Sequence, residues 1–297
     1  MRIGSAEQES TFLSQALALR LILEREGVGG PIEILTSPAA SMDNANRLHA
    51  GELDFGFMAA NWIGRAKRGL PPFRAAVDLR MTAPMNAGPL YFIALPDSGL
   101  RSVHDLRGRR VAIGAKTSGM AQHAACIFEA LGWGASEVDR RSLDFFEGAD
   151  ALLRGDVDAQ LQCPPPNKVM RDLTARTAVT VLSWPPQELD RVLRAWPVYR
   201  RTIMRAGTLR GLDRDSEQPA VLNVLVTHAR VDDEMVCEAA RSIARRAGEL
   251  EQIEPLYCGL SALLDPLRIK GPAAFEVEGV PLHPGAVHGY RQAGLLT

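Results

Sequence analysis

Several features that would point to a function early are missing from this 297-residue sequence. No run of about eighteen apolar residues occurs, so no transmembrane helix is predicted. Lysine plus arginine (34) and aspartate plus glutamate (35) leave a net charge of −1, and there is no basic stripe, so we expect no nucleic-acid partner. The four cysteines are widely spaced without a C-x-x-C pair, which favours free thiols over a disulfide framework.

The common catalytic and metal-binding motifs are missing as well. The sequence contains no H-E-x-x-H, no H-x-H, no P-loop and no G-x-S-x-G nucleophile elbow. Cys163 falls in a candidate loop and His123 on a nearby predicted helix, so a Cys–His pair remains an alternative, although no orienting partner or oxyanion hole can be identified. We therefore expect no enzyme activity, no metal site and no cofactor.

What is present is an alternation of short apolar segments and amphipathic helices. The length predicts two domains of ordinary size. Strands are predicted at Arg2–Gly4, Ile32–Leu35, Asp54–Met58, Ala75–Leu79, Leu90–Leu95 and Val111–Ile113, and helices at Phe12–Gly27, Ser41–Ala50, Ala121–Leu131, Gly148–Arg154, Lys168–Ala175, Gln187–Leu193, Asp232–Ala247 and Pro284–Ala293. This α/β alternation predicts mixed, mainly parallel sheets with helices on both faces.

Polar loops follow the predicted strands and open the predicted helices. In open α/β sheets, ligands bind beyond the C-terminal ends of the strands. One polar loop means little because surface loops are usually polar, but five at the same edge favour a cleft for a small polar solute. The candidate ligand-binding residues in these loops are Glu7, Ser10, Thr11, Ser41, Asn61, Trp62, Lys116, Thr117, Ser118, Gly119, Gln162, Cys163 and Asn167.

The loop between Gly114 and the next helix carries the most specific expectation. Either Thr117 or Ser118 can cap that helix. The unpaired amides and positive dipole end of a helix start can hold an anionic or strongly polar group, whereas the alternative is an ordinary capped helix. Trp62 and Phe12 each follow a candidate loop by one residue, so one of them is expected beside the cleft, although Phe12 also fits a core position.

Several segments resemble one family of proteins almost from end to end. They are IGSAEQESTFLSQALAL, ASMDNANRLHAGELDFGFMAAN, LPDSGLRSVHDLRGRRVAIGAKTSGMAQHAACIFEALG, FFEGADALLRGDVDAQLQCPPPN, RAGTLRG and PLHPGAVHGYRQAGL. Together they resemble the TAXI group of solute receptors of TRAP transporters, which have the type II periplasmic binding-protein fold. The third segment is the most specific for that fold, and the last two favour the TAXI group.

The resemblance implies a two-lobed receptor. Lobe 1 would contain residues 1–87 and 205–297, lobe 2 would contain residues 88–204, and the ligand cleft would lie between them. The protein would be a periplasmic monomer that closes on a carboxylate-bearing solute and delivers it to TRAP membrane subunits, its signal segment having been removed. If Met1 is the native start, a cytoplasmic location is expected instead.

One loop departs from the family pattern, and other functions remain open. Glu7 and Glu9 stand where the family usually has glycine and hydroxyl residues. Two carboxylates at the cleft would repel an anionic solute unless they point into solvent. The alternative functions are an enzyme on the same fold and a cytoplasmic ligand-binding or sensor module.

Overall fold

The chain divides into two compact units. The computed structural model describes residues 1–7, 10–116, 118–165, 167–196 and 198–297. Unit 1 consists of Met1–Asn86 and Leu222–Thr297, and unit 2 consists of Ala87–Val221. The sequence places the return crossing near Arg205, whereas in the structure residues 205–221 belong to unit 2. The reason is that residues 216–221 are part of a strand that pairs with a neighbouring strand of unit 2.

The bounds of the elements, within the described residues, are as follows. The strands are β1 (Arg2–Gly4), β2 (Glu33–Leu35), β3 (Phe55–Ala59), β4 (Leu79–Pro89), β5 (Tyr91–Ala94), β6 (Arg110–Ala112), β7 (Asp139–Arg141), β8 (Ala159–Gln162), β9 (Thr180–Val181), β10 (Tyr199–Met204) and β11 (Ser216–His228). The α-helices are α1 (Thr11–Arg25), α2 (Ser41–Ala50), α3 (Ile63–Arg68), α4 (Gly119–Ala130), α5 (Phe145–Arg154), α6 (Lys168–Arg176), α7 (Pro186–Ala195), α8 (Asp233–Ile253), α9 (Leu260–Leu264), α10 (Pro266–Lys270) and α11 (Pro284–Gln292). Of the helices described, none is both long and apolar enough to cross a membrane.

Unit 1 is built on a mixed sheet. Strand β1 pairs in parallel with β2 and β3, β3 pairs antiparallel with β11, and β4 also pairs with β11. Helix α8 packs against α1 and α11. The approach of α11 is close because Gly285 and Gly289 face α8, where a Cβ atom on either glycine would collide with the backbone of Asp233 or Cys237. These small residues let the two helices cover one side of the unit.

Unit 2 contains a second mixed sheet in the order β7–β6–β8–β5–β9, together with the antiparallel pair formed by β10 and residues 216–221 of β11. Helices cover both faces of the five-stranded sheet. On one face, Phe128 of α4 stacks on Phe92 of β5 with ring centroids 5.9 Å apart. On the other face, Tyr91 belongs to a core cluster with Leu152 of α5 and Met170 of α6. The expected α/β fold, with helices on both faces of mixed sheets, is therefore confirmed.

One local prediction is wrong. The strand predicted at Ala75–Leu79 overlaps the structure only at Leu79, where β4 begins. Strand β4 contains Pro84 and Gly88, and because such residues usually interrupt strands, the sequence pattern does not predict it.

Candidate functional site

The loops after β1 and β3 in unit 1 are held by two buried side chains of α2. Ser41 Oγ accepts a hydrogen bond from the backbone N–H of Ala59 at 3.0 Å. The Asn44 side-chain amide donates to the carbonyl oxygens of Ser5 at 3.1 Å and Phe57 at 2.9 Å. Helix α2 therefore fixes the ends of two strands, and with them the loops that begin there.

Asn44 reaches both strands because two glycines leave room for it. Gly4 of β1 and Gly56 of β3 are directly paired across the sheet. A Cβ atom added at Gly4 would collide with Asn44 Oδ1, and one added at Gly56 would lie 3.1 Å from Asn44 Cβ. Sequence analysis did not identify Asn44 or Ser5. The paired glycines are the signal that could have pointed to them, but only once the strand register is known.

The first candidate loop in unit 1 leads directly into helix α1. Ser10 caps α1, its Oγ accepting from the backbone N–H of Leu13 at 3.2 Å, and Thr11 is the half-buried first residue of the helix. Glu7 is exposed, and its carbonyl oxygen accepts from the N–H of Ser10 at 3.2 Å. Glu9 lies outside the described residues. The Glu7 carboxylate is therefore open to solvent.

The loop after β3 contains one residue with free hydrogen-bonding capacity. Both amide atoms of Asn61 are buried and have no hydrogen-bond partner among the described residues. Trp62 is only 9% exposed and packs edge-on against Phe73 with centroids 5.9 Å apart. Phe12 is also buried and lies against Phe57 at 5.7 Å. Both aromatic side chains are thus part of the core of unit 1.

In unit 2, the start of α4 has the geometry of a tight, capped turn. Ser118 is the cap, its Oγ accepting from the backbone N–H of Ala121 at 3.2 Å, and Gly119 begins the helix. The chain turns at Gly114, whose φ of +95° lies in the left-handed region, where a Cβ atom would come within 2.7 Å of Ser118 Oγ. Lys116 is exposed. Thr117 lies outside the described residues.

The end of β8 brings further candidate residues next to a residue that was not predicted. Gln162 is fully buried and lies directly opposite Tyr91 of β5. Asn167 caps α6, with Oδ1 accepting from the N–H of Met170 at 2.9 Å and Nδ2 donating to the carbonyls of Cys163 and Pro164, both at 3.2 Å. Asn167 therefore holds the loop that follows Gln162.

Cys163 and His123 are the two titratable groups of unit 2 considered above for catalysis, and burial keeps both of them uncharged. It raises the pKa of Cys163 to about 12, so the thiol stays protonated at neutral pH. It lowers the pKa of His123 to about 4, so the imidazole stays uncharged. His123 Nδ1 lies 2.8 Å from the Tyr199 hydroxyl, whereas Cys163 Sγ accepts from the Asn167 amide at 3.8 Å. A thiol with a raised pKa is a poor nucleophile, which disfavours a catalytic Cys–His pair.

The described residues offer no metal cluster, and one groove of unit 1 lies away from the predicted loops. Across the described ranges, no group of three or more histidine, cysteine, aspartate or glutamate side chains could hold a metal ion. A groove of about 750 Å³ in unit 1 lies between α1 and the edge strand β2, lined by Leu13, Leu17, Arg20 and Ile34 among others. None of the predicted ligand-binding residues lines it. In each unit, the candidate residues are thus mainly helix caps and buried hydrogen-bonding side chains.

Comparisons with known proteins identify a family and several similar structures. A sequence model of the NMT1-like family matches residues 8–294. A protein from Methylobacillus flagellatus KT, described as the periplasmic sulfonate-binding protein SsuA of a sulfonate ABC transporter, is 14% identical with a TM-score of 0.51 and covers 100% of this chain and 87% of that one.

Two further structures are similar. The zinc-bound ligand-binding component of an ABC-type import system from Staphylococcus aureus is 10% identical with a TM-score of 0.52, over 88% of this chain and 83% of that one. The effector-binding domain of QuiR in complex with shikimate is 9% identical with a TM-score of 0.51, over 84% of this chain and 97% of that one. At these identities the likeness concerns the fold, which is that of type II periplasmic binding proteins.

Proposed function

The chain belongs to the NMT1-like family, and on that premise we propose that it is an extracytoplasmic receptor that binds a small polar solute and delivers it to a membrane transporter. The observation that carries the proposal is the set of buried polar side chains at strand ends that have no partner among the described residues. They include Asn61 in unit 1 and Gln162 in unit 2. Buried polar groups in proteins are nearly always paired, so such groups point to a missing ligand or water.

We further propose that one end of the solute is a carboxylate, held at the start of α4. The first amides of that helix, those of Gly119 and Met120, precede the first intrahelical hydrogen bond and point out of the helix end. The Ser118 cap uses an oxygen lone pair, so its O–H can still donate to a ligand. Lys116 and Thr117 immediately precede the cap and would add a positive charge and a second hydroxyl. A carboxylate would be stabilised by these donors and by the helix dipole.

The transporter that we propose is of the TRAP type, and the compartment is the periplasm. The resemblance of residues 281–295 to the TAXI group supports this choice; in the structure this segment contains α11. Two of the similar structures come from ABC-type systems, so reconstitution with TRAP membrane subunits and with ABC subunits is the direct comparison. If this chain supports solute uptake when it is reconstituted with the ABC subunits, and does not when it is reconstituted with the TRAP subunits, the TRAP assignment is refuted.

We propose that the receptor works by closure of its two units on the solute, a hinge motion about the strands that connect them. Two measurements test the receptor function. Mass spectrometry of the denatured protein should identify a co-purifying solute. A thermal-shift screen of small mono- and dicarboxylates, hydroxy acids and amides should find a stabilising one, which small-angle scattering should show to reduce the radius of gyration. If no solute co-purifies and none in the screen stabilises the protein, the receptor proposal fails.

The competing enzyme function is tested with the same solute. A receptor returns its ligand unchanged, so the solute should be recovered chemically intact after long incubation with the protein. Conversion of the solute that stops in Cys163→Ala would establish an enzyme instead. The raised pKa of Cys163 supports the first outcome, because a protonated thiol is a weak nucleophile.

A further inference from the structure

We propose that Gln162, with Tyr91 beside it, binds an uncharged part of the solute that can both donate and accept hydrogen bonds, such as a carboxamide or a hydroxyl group. This inference rests on the proposed receptor function and adds to it the chemistry of a second contact point. It concerns a different part of the solute from the carboxylate that we assign to the start of α4.

The first step is a comparison of two glutamines on one strand. Gln160 and Gln162 lie two residues apart on β8, so their side chains point to the same face of the sheet. Gln160 has one internal partner: its Nε2 donates to the carbonyl of Phe145 at 2.9 Å, whereas its Oε1 has no partner among the described residues. Gln162 is 0% exposed, yet neither its Nε2 nor its Oε1 has a hydrogen-bond partner within the described part of the chain. A fully buried amide with both atoms unpaired is unfavourable and calls for an external partner.

The second step is the neighbour across the sheet. Tyr91 is paired directly with Gln162, so both side chains lie on the same face. The Tyr91 hydroxyl is buried and lies against Asn167, but no described residue forms a hydrogen bond of acceptable geometry with it. Asn167 directs its own amide to the carbonyls of Cys163 and Pro164. The two unpaired groups together provide N–H and O–H donors and a carbonyl acceptor.

The third step is the charge of the surroundings. Burial raises the pKa values of Tyr91 and Cys163, so both remain neutral. Lys168, the first residue of α6, is engaged elsewhere, with its Nζ over the Phe146 ring at 5.2 Å and 3.4 Å from Asp172. A charged group of the solute would find no counter-ion in this set of residues and would lose its hydration. An uncharged donor–acceptor group matches the set instead.

The fourth step relates this point to the start of α4. Ala112 of β6 is paired with Gln160 of β8, so the chain that leaves β6 towards Gly114 runs next to the end of β8. Neighbouring strands lie about 5 Å apart, and a Cβ atom at Gly114 would come within 2.7 Å of the Oγ of the Ser118 cap. One small solute can therefore place a carboxylate at α4 and an uncharged group at Gln162.

A probe-free experiment tests whether the Gln162 amide is free for a ligand. Gln162→Met and the matched control Gln160→Met replace an amide with an apolar side chain of similar length on the same strand. We expect Gln162→Met to melt at the parent temperature or above it in the absence of solute, because no internal hydrogen bond is lost. Gln160→Met should melt a few degrees lower. A clear decrease for Gln162→Met would show that its amide is bonded inside the protein and would overturn the inference.

A binding experiment tests the chemical class. Succinate, succinamate and 4-hydroxybutyrate share one carboxylate and differ at the other end, which is charged, an amide or a hydroxyl. By calorimetry, the parent should bind succinamate or 4-hydroxybutyrate at least tenfold more tightly than succinate, and Gln162→Met should reduce that preference to less than about threefold. Succinamate and 4-hydroxybutyrate together distinguish an amide from a hydroxyl preference.

The outcomes separate this inference from the receptor proposal. Equal or tighter binding of succinate, or an unchanged preference in Gln162→Met, overturns the inference and leaves the receptor proposal standing. If none of the three probes binds, the solute found by mass spectrometry or in the screen decides: one with an uncharged N–H or O–H group that loses affinity in Gln162→Met supports the inference, and one without such a group overturns it. Binding of no solute at all refutes both.

Discussion

The side-chain amide of Asn223 donates a hydrogen bond to Oδ1 of Asn86 at 2.9 Å, and both residues are buried. Asn86 lies on β4 and is the last residue of unit 1 before the chain enters unit 2. Asn223 lies on β11, one residue after the chain returns at Leu222. The bond therefore ties together the two strands through which the chain leaves unit 1 and re-enters it.

Removing one partner of this bond should destabilise the protein more than removing both. Asn223→Leu leaves the Asn86 amide buried without its partner, which should lower the free energy of unfolding by about 1–3 kcal/mol. In the double variant Asn86→Leu/Asn223→Leu no unpaired amide remains, so a smaller loss is expected. Urea unfolding of the parent, both single variants and the double variant measures the coupling. Additive losses would show that the bond contributes no specific pairing energy.

Alanine substitutions at two glycines should have opposite effects, because Gly4 lies against Asn44 and Gly248 has open space around it. In Gly4→Ala the new Cβ would collide with Asn44 and Leu53, so the free energy of unfolding should fall by about 1–3 kcal/mol. Gly248 is an exposed residue inside α8 with open space around it, so Gly248→Ala should raise the free energy of unfolding by about 0.5–1 kcal/mol. Denaturant melts of both variants provide the test. A neutral Gly4→Ala would contradict the close contact of Asn44 with β1.

Loss of the Ser118 cap at the start of α4 should lower both the stability of the protein and its affinity for the solute, whereas loss of a cap elsewhere should lower the stability alone. Ser118→Ala removes a helix cap and should cost about 1 kcal/mol of stability. It should also weaken solute binding about tenfold to a hundredfold, provided that the hydroxyl donates to a charged group. Asp232→Ala is the matched control, because Asp232 caps α8 in unit 1 and is not a candidate ligand-binding residue. Calorimetry well below both melting temperatures should show parent-like affinity for the control only. Equal affinities in the two variants would show that Ser118 caps the helix and does not bind the solute.

His123 predicts a loss of stability on mild acidification. Burial lowers its pKa from the ordinary 6.5 to about 4, so the unfolded chain takes up the proton first as the pH falls. This group therefore leaves the free energy of unfolding unchanged above about pH 6.5 and lowers it between about pH 6.5 and 4, by about 2 kcal/mol between pH 7 and 5.

The matched variants isolate this titration. His123→Gln retains a side chain that can bond to the Tyr199 hydroxyl but does not titrate, so its decrease in stability from pH 7 to pH 5 should be about 2 kcal/mol smaller than that of the parent. His288→Gln, which changes an exposed histidine, should follow the parent. Urea unfolding at both pH values measures the difference. Parallel pH dependence in the parent and His123→Gln would mean that His123 is not held neutral by burial.

The positions of many strands and helices were predictable because their signals are local. The apolar segments at β1, β3 and β6 and the caps Ser10 and Ser118 stand within a few residues of the elements they define. Strand β4 was missed because Pro84 and Gly88 read as interruptions. The strand pairs with β11, which lies more than a hundred residues away in the chain, so its partner is not visible in the local sequence.

The polar loops of the candidate site were also visible in the sequence, but the roles of their side chains were not. Asn167 is a helix cap in the structure, and Trp62 packs into the core of unit 1. Gln160 and Gln162 are the same residue type on the same strand face, and no sequence pattern separates them. Only the packing of α5, which brings the Phe145 carbonyl to Gln160 Nε2, gives one of the two amides an N–H partner and leaves the other without any. The sequence by itself determined where strands, caps and polar loops occur, because those depend on neighbours within a few residues. The tertiary structure decided which buried polar groups remain free for a ligand, because their partners come from elements that are distant in the chain.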